Sequence, residues 1–270
     1  MVIPVHDINP TRRRPVVTYA LVVANIVVFL LSPVPWGWID GTTIADLCAQ
    51  QNFYQQWGAI PRELLSNNPL DAVAGGPAQD EQGNVGCFLV EPDFDKNPLL
   101  SVFTSMFLHG GWLHLLGNML YLFVFGNNVE DRMGRVRFLL FYLGAGAVSA
   151  YGYALANAGS ATTLVGASGA IAGVLGAYLM MFPRARVWSL VPFLFFIPLR
   201  LPAWLVLGLW FVLQWFYSTG AGVTGGADVA YLAHVIGFLT GVLVGLIVGK
   251  PRQPPYQQLP YGYPSSPYGR

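Results

Sequence analysis

Charge is what this chain has least of. Only 10% of its 270 residues are Asp, Glu, Lys or Arg, against roughly 25% in an ordinary soluble domain, while 54% are hydrophobic. That balance excludes an ordinary soluble domain and indicates a polytopic membrane protein. The net charge of +1 gives no footing for nucleic-acid binding. No His-Glu-x-x-His motif is present, which removes a zinc protease, and no two aspartates lie on the apolar runs, which removes an aspartyl mechanism. His109, His114 and His234 are the residues to weigh as metal ligands, but no carboxylate or cysteine lies on the apolar runs to join them. Neither a metal nor a cofactor is expected. No repeat of about 20 to 50 residues is evident.

What is present is a set of long apolar runs. A membrane helix needs about 20 such residues, and six windows qualify: residues 16–34, 106–125, 138–156, 164–182, 202–217 and 229–248. The expected fold is therefore all-α, a six-helix membrane bundle over residues 16–250 after a short segment, 1–15. Residues 187–199 are apolar too, but hold Pro192 and Pro198 and are too short to span; they read as an interfacial loop. The first run follows Arg12, Arg13 and Arg14 without a convincing small-residue cleavage site, and reads as a retained helix rather than a secretory signal. With both termini inside, only Arg62 and Lys96 of the 14 Lys and Arg fall on the outer side. Basic residues stay cytoplasmic, so both ends are expected there. No organelle presequence is apparent, and a bacterial plasma membrane is the expected home.

Residues 35–101 make one long outer loop with nine acidic residues. Both cysteines, Cys48 and Cys87, fall in it, where an oxidising exterior permits them to pair; two free thiols are the alternative. Residues 251–270 are rich in Pro, Tyr, Gly and Gln and are expected to be a disordered cytoplasmic tail. Gly237, Gly241, Gly245 and Gly249 recur every four residues in the sixth run, and Gly169, Gly173 and Ala177 do so in the fourth. Such ridges let two membrane helices approach closely.

Ser168 and His234 lie beside those ridges. At 1.5 Å per residue Ser168 is roughly 6 Å below the start of its run and His234 roughly 8 Å below the start of its own. His114 and Asn118 share one helical face in the same half of the second run. Four polar side chains thus meet at one depth from three alternate helices. Polar groups in membrane spans are costly and mark function. This set matches a nucleophile, Ser168; a base, His234; and oxyanion donors, Asn118 with His114. No acidic residue lies on the spans to orient the histidine, so a dyad is expected. Asp228 is the nearest carboxylate.

The ordered motifs resemble the rhomboid family of intramembrane serine proteases over about residues 103–245. They are His109-Gly-Gly-Trp-Leu-His114-Leu-Leu-Gly-Asn118, Glu130-Asp-Arg132 with Gly134, Gly166-Ala-Ser168-Gly169, and Ala233-His234-Val-Ile-Gly237-Phe-Leu-Thr-Gly241. The resemblance implies a Ser168/His234 dyad, with His114, Asn118 and the Ser168 backbone amide at the oxyanion. It implies a structural pair of Glu130 and Arg132, and a loop before the second span that lies partly in the outer leaflet. Substrates would be membrane proteins entering past the fifth helix, near Trp210, Gln214 and Trp215. Two departures stand out. Ala172 occupies the place where some members carry a tyrosine that packs on the histidine, so something else must position His234. Leu100-Ser101 replaces a Trp-Arg pair.

The expected function is cleavage of transmembrane or juxtamembrane segments of membrane proteins by a Ser-His dyad. The rivals are a non-catalytic binder of membrane clients, as family members lacking the dyad are, and a transporter. The sequence does not name a substrate or an oligomeric state.

Overall fold

A computed structural model of the chain describes residues 2–33, 43–80, 83–192, 195–220 and 230–249. The expected tail, Asp228 and the first residue of the sixth apolar run lie outside them. Strand β1 (Ile3–Asp7) precedes α1 (Val16–Leu31). Next come α2 (Ile44–Trp57), α3 (Pro61–Ser66), the hairpin β2 (Val73–Gln79) and β3 (Val85–Val90), and α4 (Pro98–Thr104). Helix α5 (Trp112–Tyr121) continues through one π-helical turn, Leu122–Gly126, into α6 (Asn127–Met133). The chain ends with α7 (Arg135–Ala156), α8 (Ser168–Met181), the hairpin β4 (Arg186–Val191) and β5 (Ile197–Pro202), α9 (Ala203–Ser218) and α10 (Tyr231–Val248).

The architecture is mostly helical, but the five strands correct the all-α expectation. Residues 187–191 and 197–199 belong to the paired strands β4 and β5 instead of the expected interfacial loop. Val187, Ser189 and Val191 are buried at alternate positions, the period of a strand, which a search for long apolar runs does not register. Strand β1 pairs antiparallel with β4, giving a sheet in the order β1-β4-β5. The 35–101 region is likewise folded where described. It contains α2, α3, β2, β3 and α4, and Cys48 of α2 is joined to Cys87 of β3 by a disulfide with Cα atoms 5.5 Å apart. A buried ion pair of Glu63 and Lys96, at 2.6 Å, holds this cap from within.

Helices α7 and α10 are long and apolar enough to cross a bilayer; a third candidate is the pair Pro98–Phe107 and Trp112–Met133, bent by 84°. The bend falls at Gly110-Gly111, so the second helix starts later than the hydropathy window suggests and runs on to Met133. Helices α1, α8 and α9 are apolar and 16, 14 and 16 residues long. At 1.5 Å per residue α8 is only about 21 Å long, less than the roughly 30 Å of a hydrocarbon core. A helix this short begins inside a bilayer if its far end reaches the boundary.

Helix ends in an apolar solvent must find partners for their free backbone groups. The Glu130 carboxylate accepts the Val17 and Thr18 amides at 3.0 and 2.7 Å and the Thr18 hydroxyl at 2.8 Å, capping α1 from another helix. At the other side of α6, Arg132 donates to the Val248 and Gly249 carbonyls at 3.0 and 3.4 Å, where α10 ends. Each charge sits on the helix end whose dipole it complements. The main core includes Tyr142, Tyr178, Phe125 and Phe138, all fully buried.

Strand β1 is anchored through Asp7, whose carboxylate accepts Asn128 Nδ2 and the Tyr178 hydroxyl, both at 2.7 Å. Burial raises this carboxyl to about 6, despite the lowering contribution of the tyrosine hydrogen bond. A group whose folded pKa is raised stabilises the fold below its unfolded pKa, about 4, and that contribution is lost as the pH climbs through the folded value. Thermal unfolding in detergent is therefore expected to show stability falling from about pH 4 to pH 7, with Asp7→Asn removing that slope. Parallel profiles for the two proteins would exclude Asp7 as its source.

Candidate active site

The turn into α8 is built by backbone pairing. Leu164 forms an isolated antiparallel bridge with Ala59 of the cap, through bonds of 2.7 and 3.2 Å. Gly166 donates to the Ser105 carbonyl at 2.9 Å. Its φ of +119° disfavours any residue with a Cβ, and such an atom would lie 2.7 Å from His114 Nε2. Ser168 is the first residue of α8, an end that no side chain caps. The first amides of a helix lack intrahelical partners and carry its positive pole, so they can donate to an anion there.

Helix α10 brings the histidine. A Cβ on Gly237 would strike the Gly169 carbonyl and one on Gly241 the Gly173 carbonyl, so α8 and α10 pack backbone to backbone. Ser149 of α7 steadies the start of α10 by donating to the Ala233 carbonyl at 2.6 Å. The result is a hydrogen-bond distance of 2.8 Å between Ser168 Oγ and His234 Nε2. The other ring nitrogen, Nδ1, lies 2.7 Å from Gln214 Oε1 on α9. If Nε2 is to accept the serine proton, Nδ1 must carry hydrogen, and a carbonyl oxygen is the partner that selects that tautomer.

Gln214 is the residue that sequence reasoning underrated. The family resemblance places it only near the substrate entry route, with no link to the histidine. The signals in the sequence were a glutamine within an apolar run, and Ala172 where a tyrosine would have packed on the ring. The Trp210 ring lies 6.1 Å from the His234 ring, and Tyr231 presents an edge at 6.3 Å. Trp215 is half exposed.

His114 Nδ1 accepts the Gly110 amide at 3.3 Å, and its ring meets that of His109 edge-on at 5.1 Å. Asn118, one turn further along α5, is buried, and its Nδ2 has no hydrogen-bond partner among the described residues. An amide donor kept in reserve is what an oxyanion requires. The His109 carbonyl accepts the Tyr54 hydroxyl of α2 at 2.7 Å, so the cap touches both the His114 side and the Ser168 side of the site. Among the described residues, His109, His114 and His234 form no group that could hold a metal ion.

The chain matches the Rhomboid domain over residues 96–251. It is 27% identical over 245 residues to RHOMBOID-like protein 6, mitochondrial, of Arabidopsis thaliana, covering 86% of this chain and 68% of that protein. It is 30% identical over 166 residues to Rhomboid protein 1, mitochondrial, of Saccharomyces cerevisiae, covering 60% of this chain and 45% of that protein. It is also 30% identical over 146 residues to the Rhomboid protease GlpG of Haemophilus influenzae, covering 54% of this chain and 68% of that protein. Against two other curated relatives the chain spans about half their length.

The Gln214 contact makes a prediction independent of turnover. Imidazole nitrogen NMR of the protein in detergent should find the hydrogen of the neutral His234 tautomer on Nδ1 rather than Nε2, and Gln214→Met should let both tautomers appear. An unchanged His234 signal in the variant would mean that Gln214 does not set the tautomer.

Proposed function

We propose, from the premise that this chain belongs to the Rhomboid domain family, that it is an intramembrane serine endopeptidase acting on membrane-protein segments. The observation that carries the reading is the 2.8 Å contact of Ser168 Oγ with His234 Nε2, with the opposite ring nitrogen held by Gln214. A nucleophile bonded to a base that a third group orients is the general signature of covalent acyl transfer.

In this reading His234 Nε2 takes the Ser168 proton as Oγ adds to the scissile carbonyl carbon. The carbonyl oxygen becomes an oxyanion, received by amides at the start of α8, by Asn118 Nδ2 and by His114. Collapse breaks the C–N bond, and the imidazolium returns its proton to the departing amine. Water then repeats the sequence on the acyl-serine, with His234 as base, and releases the carboxylate and the free serine. Gln214 is neutral; it orients the imidazole without adding a countercharge.

The basic end of the bundle is read as cytoplasmic and the disulfide-bearing cap as facing the oxidising side of a plasma membrane. The substrates are integral membrane proteins. The Trp210 and Trp215 side of α9 is the route by which they would enter.

A fluorophosphonate probe should label the detergent-purified protein and fail to label folded Ser168→Ala or His234→Ala. Cleavage of a transmembrane reporter should vanish in both variants. It should fall about 10²- to 10³-fold in Asn118→Ala, the usual effect of deleting one oxyanion donor, and on the order of 10- to 10²-fold in Gln214→Met, from a misaligned base. Undiminished cleavage in Ser168→Ala would sink the assignment. A folded wild type that neither labels nor cuts, yet retains intact membrane clients, would favour a binding role.

A further inference from the structure

A cavity of about 490 Å³ opens at the basic end, where the chain enters α1 and where α6 meets α7. Four arginines line it from two distant stretches of sequence: Arg13 and Arg14, then Arg135 and Arg137. Two carboxylates share the wall, Glu130 and Asp131, but both are already engaged. Glu130 caps α1. Asp131 accepts the Arg12 and Arg13 amides at 3.1 and 2.9 Å, one on each oxygen, which ties the arginine run against the end of α6. No hydrogen bond or ion pair to the four guanidinium groups is found among the described residues.

Topology alone does not require this arrangement. A bias of basic residues toward one side is met by arginines anywhere on that face, and Arg200 shows such a case, stacked 4.4 Å above the Trp188 ring. Around the cavity, instead, two pairs of arginines from separate stretches line one hollow, and the Asp131 carboxylate fixes the backbone of the first stretch. Below the cavity along α7, Val136 and Leu140 are 72% and 65% exposed on one helical face, an apolar strip continuous with the cationic mouth. Guanidinium forks match phosphate oxygens, and basic pockets at the ends of membrane helices suit anionic headgroups.

We propose that this cavity binds a phosphate-bearing anion, namely the headgroup of an anionic phospholipid whose acyl chains lie along Val136 and Leu140. The site is separate from Ser168 and His234 and does not depend on the peptidase reading. The bound lipid bridges the start of α1 to the α6–α7 joint.

The test uses the full chain in nanodiscs of phosphatidylcholine, with and without phosphatidylglycerol, followed by native mass spectrometry of the lipid that stays bound and by thermal unfolding. Wild-type protein is expected to retain phosphatidylglycerol over phosphatidylcholine and to melt higher in its presence. Arg135→Gln/Arg137→Gln should weaken that retention about tenfold or more, and Arg13→Gln/Arg14→Gln should do likewise from the other wall. Arg184→Gln/Arg186→Gln, which removes the same charge from the same end, should leave it unchanged. Equal losses in all three variants would reduce the effect to general surface charge and overturn the site. Protection by inorganic phosphate alone, equal to that by the lipid, would overturn the lipid assignment in favour of a soluble anion. Equal retention of the two lipids would overturn both.

Discussion

Helices α8 and α10 approach until the backbone of one meets the backbone of the other, and the rest of the molecule is arranged around that contact. At Gly237 and Gly241 there is no room for even a methyl group against the carbonyls of Gly169 and Gly173. Inside a bilayer the apolar side chains gain little by leaving lipid for protein, so close van der Waals packing of small residues has to hold helices together. That packing has a chemical consequence. It fixes the separation of the two helix starts, and Ser168 and His234 occupy those starts. A bulkier ridge would move the imidazole away from the hydroxyl without altering either residue.

The remaining elements secure the two ends of this pair. At one end the disulfide-bearing cap bonds to Leu164 and to the His109 carbonyl, bracing both chain segments that lead into the site. At the other, Glu130 and Arg132 satisfy free backbone groups of α1 and α10, and the β1-β4-β5 sheet closes beneath through Asp7. Unpaired backbone polar groups are expensive in an apolar medium. Glu130 and Arg132 are therefore placed where helices end. Lys96 and Glu63 follow the same logic within the cap, where each is the other's compensation for burial.

Much of the site was legible because its signals are rare. A serine, two histidines and an asparagine on apolar runs are conspicuous against a background that excludes such groups, and the glycine rhythm states which faces meet. The strands were harder to see. Val187 to Val191 alternates in burial, but it lies in an apolar stretch that a hydropathy window reads as continuous. The cap was hidden in another way: its longest helix, α2, is polar and mostly part-buried or exposed, so no strong period marks it. Gln214 was visible as a polar residue but not as a partner of His234, since the two are 20 positions apart on different helices.

Composition and spacing by themselves determined that this is a membrane protein of apolar helices, which polar residues on those helices are candidates for chemistry, and where glycine permits close approach. These are properties of single segments in a known solvent, and a chain carries them before it folds. Only the tertiary structure decided that Gln214 is the group facing the second nitrogen of His234, that Cys48 meets Cys87, that β1 pairs with β4, and that arginines from two distant stretches line one cavity. Each of those depends on which faces of separate elements come into contact. That is decided by packing among all of them at once.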